Sequence, residues 1–172
     1  MSIEDFIFKS EAKDFDPIKT SILSSISDAG KYSIVDNTQS IRNTDWHLSD
    51  QARNRGYWHC AEPLVVSHIN GLVENFSLTN AQVANYWFQQ YETGDYHTWH
   101  NHSGCCFSSV LYVELGDSSP STTFRWMGRS FEVPVKEGDT ISFPSFVAHG
   151  SKVNKSTRKT VISYNTRVTI TE

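Results

Sequence analysis

Three histidines in the second half of the chain have the residue type and spacing of a metal site. His100 and His102 are two residues apart in a segment that reads as a β-strand, so their side chains are expected on the same face. His149 follows in a later segment, shortly after a turn. Neutral imidazoles that converge from two strands are good ligands for iron, zinc, copper or nickel. Three ligands leave coordination positions open for substrate, cosubstrate and oxygen.

The residues before each ligand segment support this interpretation. The stretch Gly94–His102 has the form G-x5-H-x-H. The stretch Gly138–His149 runs from a turn through an alternating apolar strand and a proline to the histidine. Asp95 and Asp139 lie in the two turns. Because Asp hydrogen-bonds to its own local backbone, we expect both residues to form turns and neither to bind the metal.

A cationic residue follows the last histidine in another strand segment. Alternation places Arg158 on the same face as Thr160, Ile162 and Tyr164. An unpaired buried charge is costly, so an inward-facing Arg158 needs an anionic partner, and its guanidinium suits a carboxylate. The pattern therefore predicts a ligand carboxylate at Arg158. In the alternative, Arg158 is exposed and the face that carries Lys159 points inward.

The elements that must position these residues are mainly short strands. Two helices come first, one opened by Asp16-Pro17 and ended by Gly30, and one from about Glu62-Pro63 to Asn75. Segments rich in β-branched and aromatic residues then alternate with turn residues. They lie near 82–91, 96–102, 106–115, 121–126, 130–135, 139–143, 147–153 and 158–170. The pattern predicts a mainly β jelly-roll barrel with both helices packed outside it.

Length and composition indicate one ordinary globular domain. The chain has 172 residues, 13% of them aromatic, and a formal net charge of −4. We predict a single domain over 1–172, with its barrel core at about 82–170. The lack of a basic patch disfavours duplex DNA as a partner. With no signal peptide or apolar span in the sequence, we expect no membrane partner and a cytoplasmic location.

The cysteines do not form a recognisable framework. The chain has three cysteines, Cys60, Cys105 and Cys106. An odd number that includes one adjacent pair is a poor basis for a disulfide framework. Zinc sites usually show CxxC spacing, which the sequence lacks. We therefore expect free thiols.

Taken together, the motifs resemble the iron(II)- and 2-oxoglutarate-dependent oxygenases, whose fold is the double-stranded β-helix. That family combines an H-x-(D/E) motif, a later His and then an Arg that binds the distal carboxylate of 2-oxoglutarate. The chain is similar in particular to small proteins of this kind from phage and bacterial genomes. The segments that match are His100-Asn101-His102, Ser108–Tyr112, Phe143–His149, Arg158-Lys159-Thr160 and Ile162–Asn165. The resemblance covers roughly residues 83–166.

The resemblance implies an activity and a set of site residues. Iron(II) would bind His100, His102 and His149, while Arg158 and Thr160 would bind 2-oxoglutarate. Oxygen would be the second cosubstrate, and substrate hydroxylation would accompany the formation of succinate and carbon dioxide. Three tyrosines are candidate hydrogen-bond donors to 2-oxoglutarate: Tyr86, Tyr91 and Tyr112. A bacterial cell or a phage-infected host is the implied setting.

The sequence departs from the family motif at one ligand. His102 stands where the family has a carboxylate, which makes the site less anionic. His97 is near enough to be an alternative ligand, although a role beside the ligands or toward substrate is favoured for His97, Trp99 and Asn165. The substrate stays open among a peptide side chain, a nucleobase and a small metabolite. The oligomeric state also stays open, a homodimer included.

Two other functions fit part of the pattern. A cupin-type metal-dependent dioxygenase or isomerase that does not use 2-oxoglutarate would share both histidine motifs. Cupins usually carry a Glu shortly after HxH, where this chain has Cys106 and Phe107, and they do not need an inward Arg. The third possibility is a non-catalytic barrel that only binds a ligand. Formation of succinate from 2-oxoglutarate separates these classes.

Overall fold

The computed structural model describes residues 2–28, 32–48 and 55–169. Within these ranges the chain forms a short 3-10 helix, Ile3–Phe6, and two α-helices, Phe15–Asp28 (α1) and Gly56–Asn75 (α2). The strands are Phe8–Glu11 (β1), Ile34–Val35 (β2), Gln39–Ile41 (β3), Asn43–Thr44 (β4), Asn80–Glu92 (β5), Tyr96–His100 (β6), Phe107–Glu114 (β7), Thr122–Trp126 (β8), Arg129–Glu132 (β9), Asp139–Pro144 (β10), Ala148–Ser151 (β11) and Arg158–Thr169 (β12).

The strands form two antiparallel sheets. The first sheet has the order β1-β10-β7-β12-β5-β4, and the second has the order β2-β3-β6-β11-β8-β9. From β5 onward, successive strands alternate between the sheets, apart from the β8–β9 hairpin. This winding makes the double-stranded β-helix and confirms the predicted fold class. Each of the later predicted strands is found, with its ends shifted by a few residues.

Two apolar clusters share the first sheet. Between the sheets, Tyr112 and Val161 pack among buried aromatic and aliphatic side chains. On the opposite face, Leu111 and Ile162 pack against α1 and α2. The central strands of this sheet are therefore buried on both faces, and β10 is buried along its whole length. Both helices lie outside the barrel, as predicted.

The second helix begins earlier than the sequence predicts. It starts at Gly56, so Pro63 lies inside the helix rather than at its first turn. Proline lacks the N–H that an interior helical position would donate. Burial of Tyr57, Trp58 and Ala61 in the outer cluster holds the preceding turns helical. The predicted end of the first helix, Gly30, lies outside the described residues.

His68 on α2 is buried. It is 2% exposed, and its ring nitrogens contact the hydroxyls of Ser10 and Ser142 at 2.5 and 2.8 Å. Burial lowers the pKa of His68 to about 4, so the ring is neutral and its polarity is met by the two serines.

Two further expectations concern cysteines and membranes. The three cysteines are free thiols, as predicted. Among the described helices, none combines the length and the apolar character needed to cross a bilayer.

Candidate metal centre

The second sheet brings two of the three candidate ligands together. His100 is the last residue of β6 and lies opposite His149 of β11 in the antiparallel register. His102 follows just beyond the end of β6, not within it. Its backbone N–H donates to the carbonyl of Ser145 at 3.0 Å, in the turn before β11. This bond ties the two ligand segments together, so all three histidines meet at one place.

The three imidazoles have the separation of a metal site. Their ligand atoms lie within 4.8 Å of one another. The ring centroid of His149 is 4.2 Å from that of His100 and 5.2 Å from that of His102. Metal–nitrogen bonds of about 2 Å need only a small contraction of this cluster. Within the described ranges the cluster contains histidines and no carboxylate.

Backbone carbonyls orient two of the three rings. Nδ1 of His100 lies 2.9 Å from the carbonyl of Thr98, and Nδ1 of His149 lies 2.9 Å from that of Val147. A carbonyl oxygen can only accept, so each Nδ1 carries the ring proton and donates it. The Nε2 lone pairs are then free for a metal, in the tautomer that metal-bound histidines usually adopt.

Burial keeps the cluster uncharged. It lowers the pKa of His149 to about 2 and that of His102 to about 4, and it also lowers the pKa of His100. Repulsion from neighbouring imidazoles adds to the effect at His149 and His102. Neutral imidazole is the form that binds a metal, so the residues present suit one at neutral pH.

A β-bulge turns a fourth histidine toward the same space. The register between β6 and β11 shifts beyond the His100–His149 pair, and the His97 ring stacks on His100 with centroids 3.9 Å apart. His97 is outside the converging ligand set. Gly150 lies opposite the bulge, where an added Cβ would be 2.7 Å from the His97 carbonyl and 3.0 Å from that of Thr98. The bulge therefore requires glycine there.

A cavity of about 220 Å³ adjoins the histidines between the two sheets. Its wall consists mostly of aromatic, aliphatic and uncharged polar side chains. Besides the histidines it includes Ile41, Trp46, Trp87, Gln89, Tyr91, Ser109, Thr122, Phe143, Ser151, Val161, Ser163 and Asn165. Among the described residues that line it, Lys159 is the sole Lys, Arg, Asp or Glu.

The Lys159 amine is buried without a carboxylate partner in the described part of the chain. The residue is 2% exposed. Its Nζ donates to the carbonyl of Pro120 at 2.8 Å and to Ser151 Oγ at 2.9 Å, and it lies 5.1 Å from the Tyr91 ring centroid. Burial lowers its pKa to about 7, against a smaller opposing effect of Glu132. Such an amine suits an anionic ligand.

The predicted inward orientation of Arg158 and Thr160 is wrong. The Arg158 guanidinium is exposed and bonds to the Glu114 carboxylate at 2.6 and 3.0 Å. Thr160 Oγ1 donates to the same carboxylate at 2.9 Å. Neither residue lines the cavity. The alternative register holds, because the face of β12 that carries Lys159 and Val161 points inward.

The other candidate residues separate into two groups. Tyr91 and Asn165 line the cavity. Tyr86 stacks on Trp58 of α2 with centroids 3.7 Å apart, outside the barrel. Trp99 also lies outside the cavity, where the guanidinium of Arg125 is 4.6 Å from its ring centroid.

Tyr112 is buried but lies outside the cavity wall. Its hydroxyl contacts Thr122 Oγ1 at 2.7 Å and accepts from the Thr122 N–H at 3.0 Å. Burial raises the pKa of Tyr112 to about 12. Its hydroxyl thus contacts a residue of the cavity wall, Thr122, without belonging to that wall.

Asp95 and Asp139 form turns, as predicted. Each carboxylate accepts a backbone N–H from three residues earlier, Glu92 at 2.8 Å and Lys136 at 3.0 Å. Neither belongs to the metal cluster.

No protein-family model matches the sequence, and no curated protein matches it. Similar structures are numerous. A 2OG-Fe(II) oxygenase family oxidoreductase from Burkholderia pseudomallei aligns with a TM-score of 0.74 over 95% of this chain and 86% of that chain, at 10% identity. A Pseudomonas putida prolyl-4-hydroxylase aligns with a TM-score of 0.64 over 96% of both chains, at 15% identity. A collagen prolyl hydroxylase of Paramecium Bursaria Chlorella virus-1, solved as a 2OG complex, gives 0.61 over 96% and 97%, at 10% identity.

The similar structures show the fold of this chain. The chain has the double-stranded β-helix of the 2OG-Fe(II) oxygenases, with three histidines that could hold a metal ion. The resemblance seen in the sequence motifs is thus confirmed at the level of the fold. The sequence motifs did not identify Lys159 as a residue that could bind a carboxylate, although it directly follows Arg158.

Proposed function

We propose that this protein is an iron(II)- and 2-oxoglutarate-dependent dioxygenase that hydroxylates its substrate. His100, His102 and His149 hold the iron, and Lys159 takes the role first assigned to Arg158, binding the distal carboxylate of 2-oxoglutarate. The observation that carries the proposal is a buried lysine amine that has no carboxylate partner among the described residues. It lies in the same cavity as three converging neutral imidazoles.

The charges of the cavity support this pair of ligands. Three neutral histidines leave the charge of a divalent metal uncompensated, and Lys159 adds a further positive charge when protonated. Both charges lie in a buried space without a protein anion in its described wall. A dicarboxylate compensates both, and its binding relieves the cost of burying the ammonium group. Iron, when bound, supplies the site at which oxygen and 2-oxoglutarate react to give succinate, carbon dioxide and oxidised substrate.

The chain itself contributes binding, orientation and exclusion of water. Ser151 Oγ and the Pro120 carbonyl fix the Lys159 amine, and the Tyr91 ring covers its side. The aromatic pair Trp46 and Trp87, with centroids 4.2 Å apart, forms another part of the wall. These groups hold a cosubstrate in one orientation, and the aromatic part of the wall limits the access of water.

A peptide side chain is the substrate class that we propose. Two of the three similar structures described above are prolyl hydroxylases, which favours a peptide side chain over a nucleobase or small metabolite. The described cavity wall offers neutral amides, hydroxyls and indoles to this group. We place the reaction in the cytoplasm of a bacterial or phage-infected cell, where the free cysteines stay reduced.

The test compares two neighbouring residues on opposite faces of β12. Purified protein receives iron(II), ascorbate and 2-oxoglutarate, and succinate is followed by NMR. Calorimetry without oxygen measures the affinity for 2-oxoglutarate. We expect Lys159→Met to weaken this affinity by roughly tenfold to a hundredfold, because a charge-assisted contact is lost. Arg158→Ala is the matched control and leaves the affinity unchanged.

His149→Ala completes the experiment, since it should lose both metal and succinate formation. A wild-type protein that binds metal but neither binds nor consumes 2-oxoglutarate would overturn the assignment. So would a loss of affinity in Arg158→Ala with none in Lys159→Met.

A second candidate is a cupin-type oxygenase that does not use 2-oxoglutarate. It is favoured by His102, because cupins share an HxH pair with this chain, whereas the 2-oxoglutarate-dependent family has H-x-(D/E) there. It predicts one bound metal per chain and no succinate, and Lys159 would then bind an anionic group of the substrate.

A further inference from the structure

Two of the three candidate ligands face a backbone carbonyl, whereas the third, His102, faces a side chain in the described part of the chain. Nδ1 of His102 faces the side chain of Asn165, whose Nδ2 lies 3.3 Å away. The Ser108 hydroxyl donates to the Oδ1 of the same amide at 3.0 Å. Asn165 and Ser108 are both buried, at 4% exposure each. A row of three polar side chains therefore ends at the metal cluster.

With the amide in this orientation, His102 would carry its proton on the nitrogen that a metal needs. An amide nitrogen only donates, so Nδ1 of His102 must accept, and the neutral ring then holds its proton on Nε2. A protonated ring nitrogen has no lone pair to give. In this state His102 is a hydrogen-bond donor beside the cavity, and His100 and His149 are the only ligands of the set.

Rotation of the amide by 180° exchanges these roles without losing a bond. Asn165 Oδ1 then accepts from Nδ1–H of His102, while Nδ2 donates to Ser108 Oγ, because a hydroxyl can accept as well as donate. Nε2 of His102 is left with its lone pair. The ring then has the tautomer that the Thr98 and Val147 carbonyls give to the other two histidines.

We propose that Asn165 is a positioning residue whose amide orientation decides whether His102 is a metal ligand or a hydrogen-bond donor. In the metal-loaded protein its Oδ1 accepts from His102. The inference rests on the proposed metal centre and deepens it. Because the acceptor is a neutral amide, the third ligand stays a neutral imidazole, whereas a carboxylate in its place would make His102 a more basic ligand.

The test measures metal affinity and tautomer, not turnover. Chelator-treated protein is titrated with cobalt(II), followed by its visible absorption, and the zinc-loaded protein gives the histidine tautomers by 15N NMR. We expect Nδ1 of His102 to be protonated with zinc bound. Asn165→Ala should weaken cobalt binding by roughly tenfold to a hundredfold. Asn165→Asp should bind at least as tightly as wild type, because its carboxylate accepts the same bond.

Ser163→Ala is the matched control. Ser163 lies two residues earlier in β12 and lines the same cavity, but its hydroxyl donates to Gln89 at 3.1 Å and contacts no ligand. Its cobalt affinity should equal that of wild type. If Asn165→Ala does not fold, Asn165→Asp decides, since a weaker affinity in that variant overturns the inference.

The outcomes separate this inference from the function on which it rests. Absence of cobalt binding in wild type refutes the metal centre as a whole. Tight binding in wild type, with the same affinity and spectrum in Asn165→Ala, refutes only the role of Asn165. Zinc-loaded protein in which His102 carries its proton on Nε2 would likewise refute only the role of Asn165.

Discussion

The charge of individual residues governs the candidate site. All three candidate ligands are neutral imidazoles, and the nearest buried charge in the cavity is the Lys159 amine. A site of this kind depends on the molecules that it binds for negative charge. A site with a protein carboxylate depends on them less. The chain as a whole is acidic, with a formal net charge of −4. The proposed affinity for an anion would thus arise locally, at the cavity wall.

The first prediction at this scale concerns Lys159 and pH. Its pKa is about 7 in the folded protein and about 10.4 in an unfolded chain. Between these values the unfolded state holds a proton that the folded state lacks, so the free energy of unfolding rises with pH. Below about pH 7 the ammonium is charged in both states, and its burial then destabilises the folded state. We expect Lys159→Met to be more stable than wild type at pH 6.5, without metal or 2-oxoglutarate.

Urea unfolding at pH 6.5 and pH 9 measures this difference. The advantage of Lys159→Met should shrink as pH rises, by at most about 1.4 kcal/mol per pH unit. Arg158→Ala serves as control, because an exposed ion pair contributes only about 0 to 1 kcal/mol and should show no such pH dependence. Equal pH dependence in wild type and Lys159→Met would contradict the burial of a titrating amine.

Sequence reasoning found the histidines but predicted that Arg158 faces the cavity, where the structure has Lys159, and the reason is physical. The first sheet is covered by helices on one face and by the cavity on the other, so both faces of β12 are buried and alternation does not tell which is inward. A usable signal was present in the chemistry of the two faces. Ser163 and Asn165 share the face of Lys159, whereas Ile162 and Tyr164 share that of Arg158, and a polar face suits a ligand cavity.

Among the elements, the irregular pairing of β6 with β11 contributes most to the site. The bulge places His97 against His100 while keeping His100 opposite His149. Bulges change the direction of side chains and are common beside active sites. Gly150 allows the β6 backbone to approach this closely. The shape of the cluster therefore depends on a residue with no side chain of its own.

The second prediction is that Gly150→Ala disrupts this pairing. Its Cβ would meet two backbone carbonyl oxygens, which cannot move as a flexible side chain can. We expect a loss of roughly 1 to 3 kcal/mol in the free energy of unfolding and a weaker affinity for cobalt(II). Denaturant unfolding and metal titration measure the two effects.

Gly128→Ala in the β8–β9 hairpin is the matched control. Gly128 has a φ of +77°, so alanine there costs about 1 kcal/mol or more in strain, but it lies outside the cavity wall. Its cobalt affinity should match wild type despite the lower stability. Were Gly150→Ala to bind cobalt as tightly as this control does, the bulge would have no part in shaping the cluster.

Element by element, the strands were more predictable than the helices. Strands β5 to β12 are separated by clear turn residues such as Gly94 and Gly138, both of which adopt a positive φ. The start of α2 was missed because Pro63 reads as a first-turn residue. Packing of Tyr57 and Trp58 against the sheet outweighs that local preference, and a single sequence does not show this packing.

At the scale of the whole molecule, the two apolar clusters are joined through shared strands. Val110 and Tyr112 of β7 face the cluster between the sheets, whereas Leu111 and Val113 face the helices. Loss of either cluster would expose one face of the same strand. We therefore propose that the chain unfolds as one unit, in agreement with the single domain predicted from its length.

The last prediction joins this cooperativity to the metal. A ligand that binds only the folded state stabilises it by about 2.7 kcal/mol at a hundred times its Kd, and for a domain of this size 1 kcal/mol raises Tm by roughly 2 to 4 °C. Calorimetry should show one transition, with equal calorimetric and van't Hoff enthalpies, that moves up by roughly 5 to 10 °C with cobalt(II). His149→Ala should unfold in one transition with no such shift. Two separate transitions would contradict the single domain, whereas one transition unmoved by cobalt would contradict the metal centre alone.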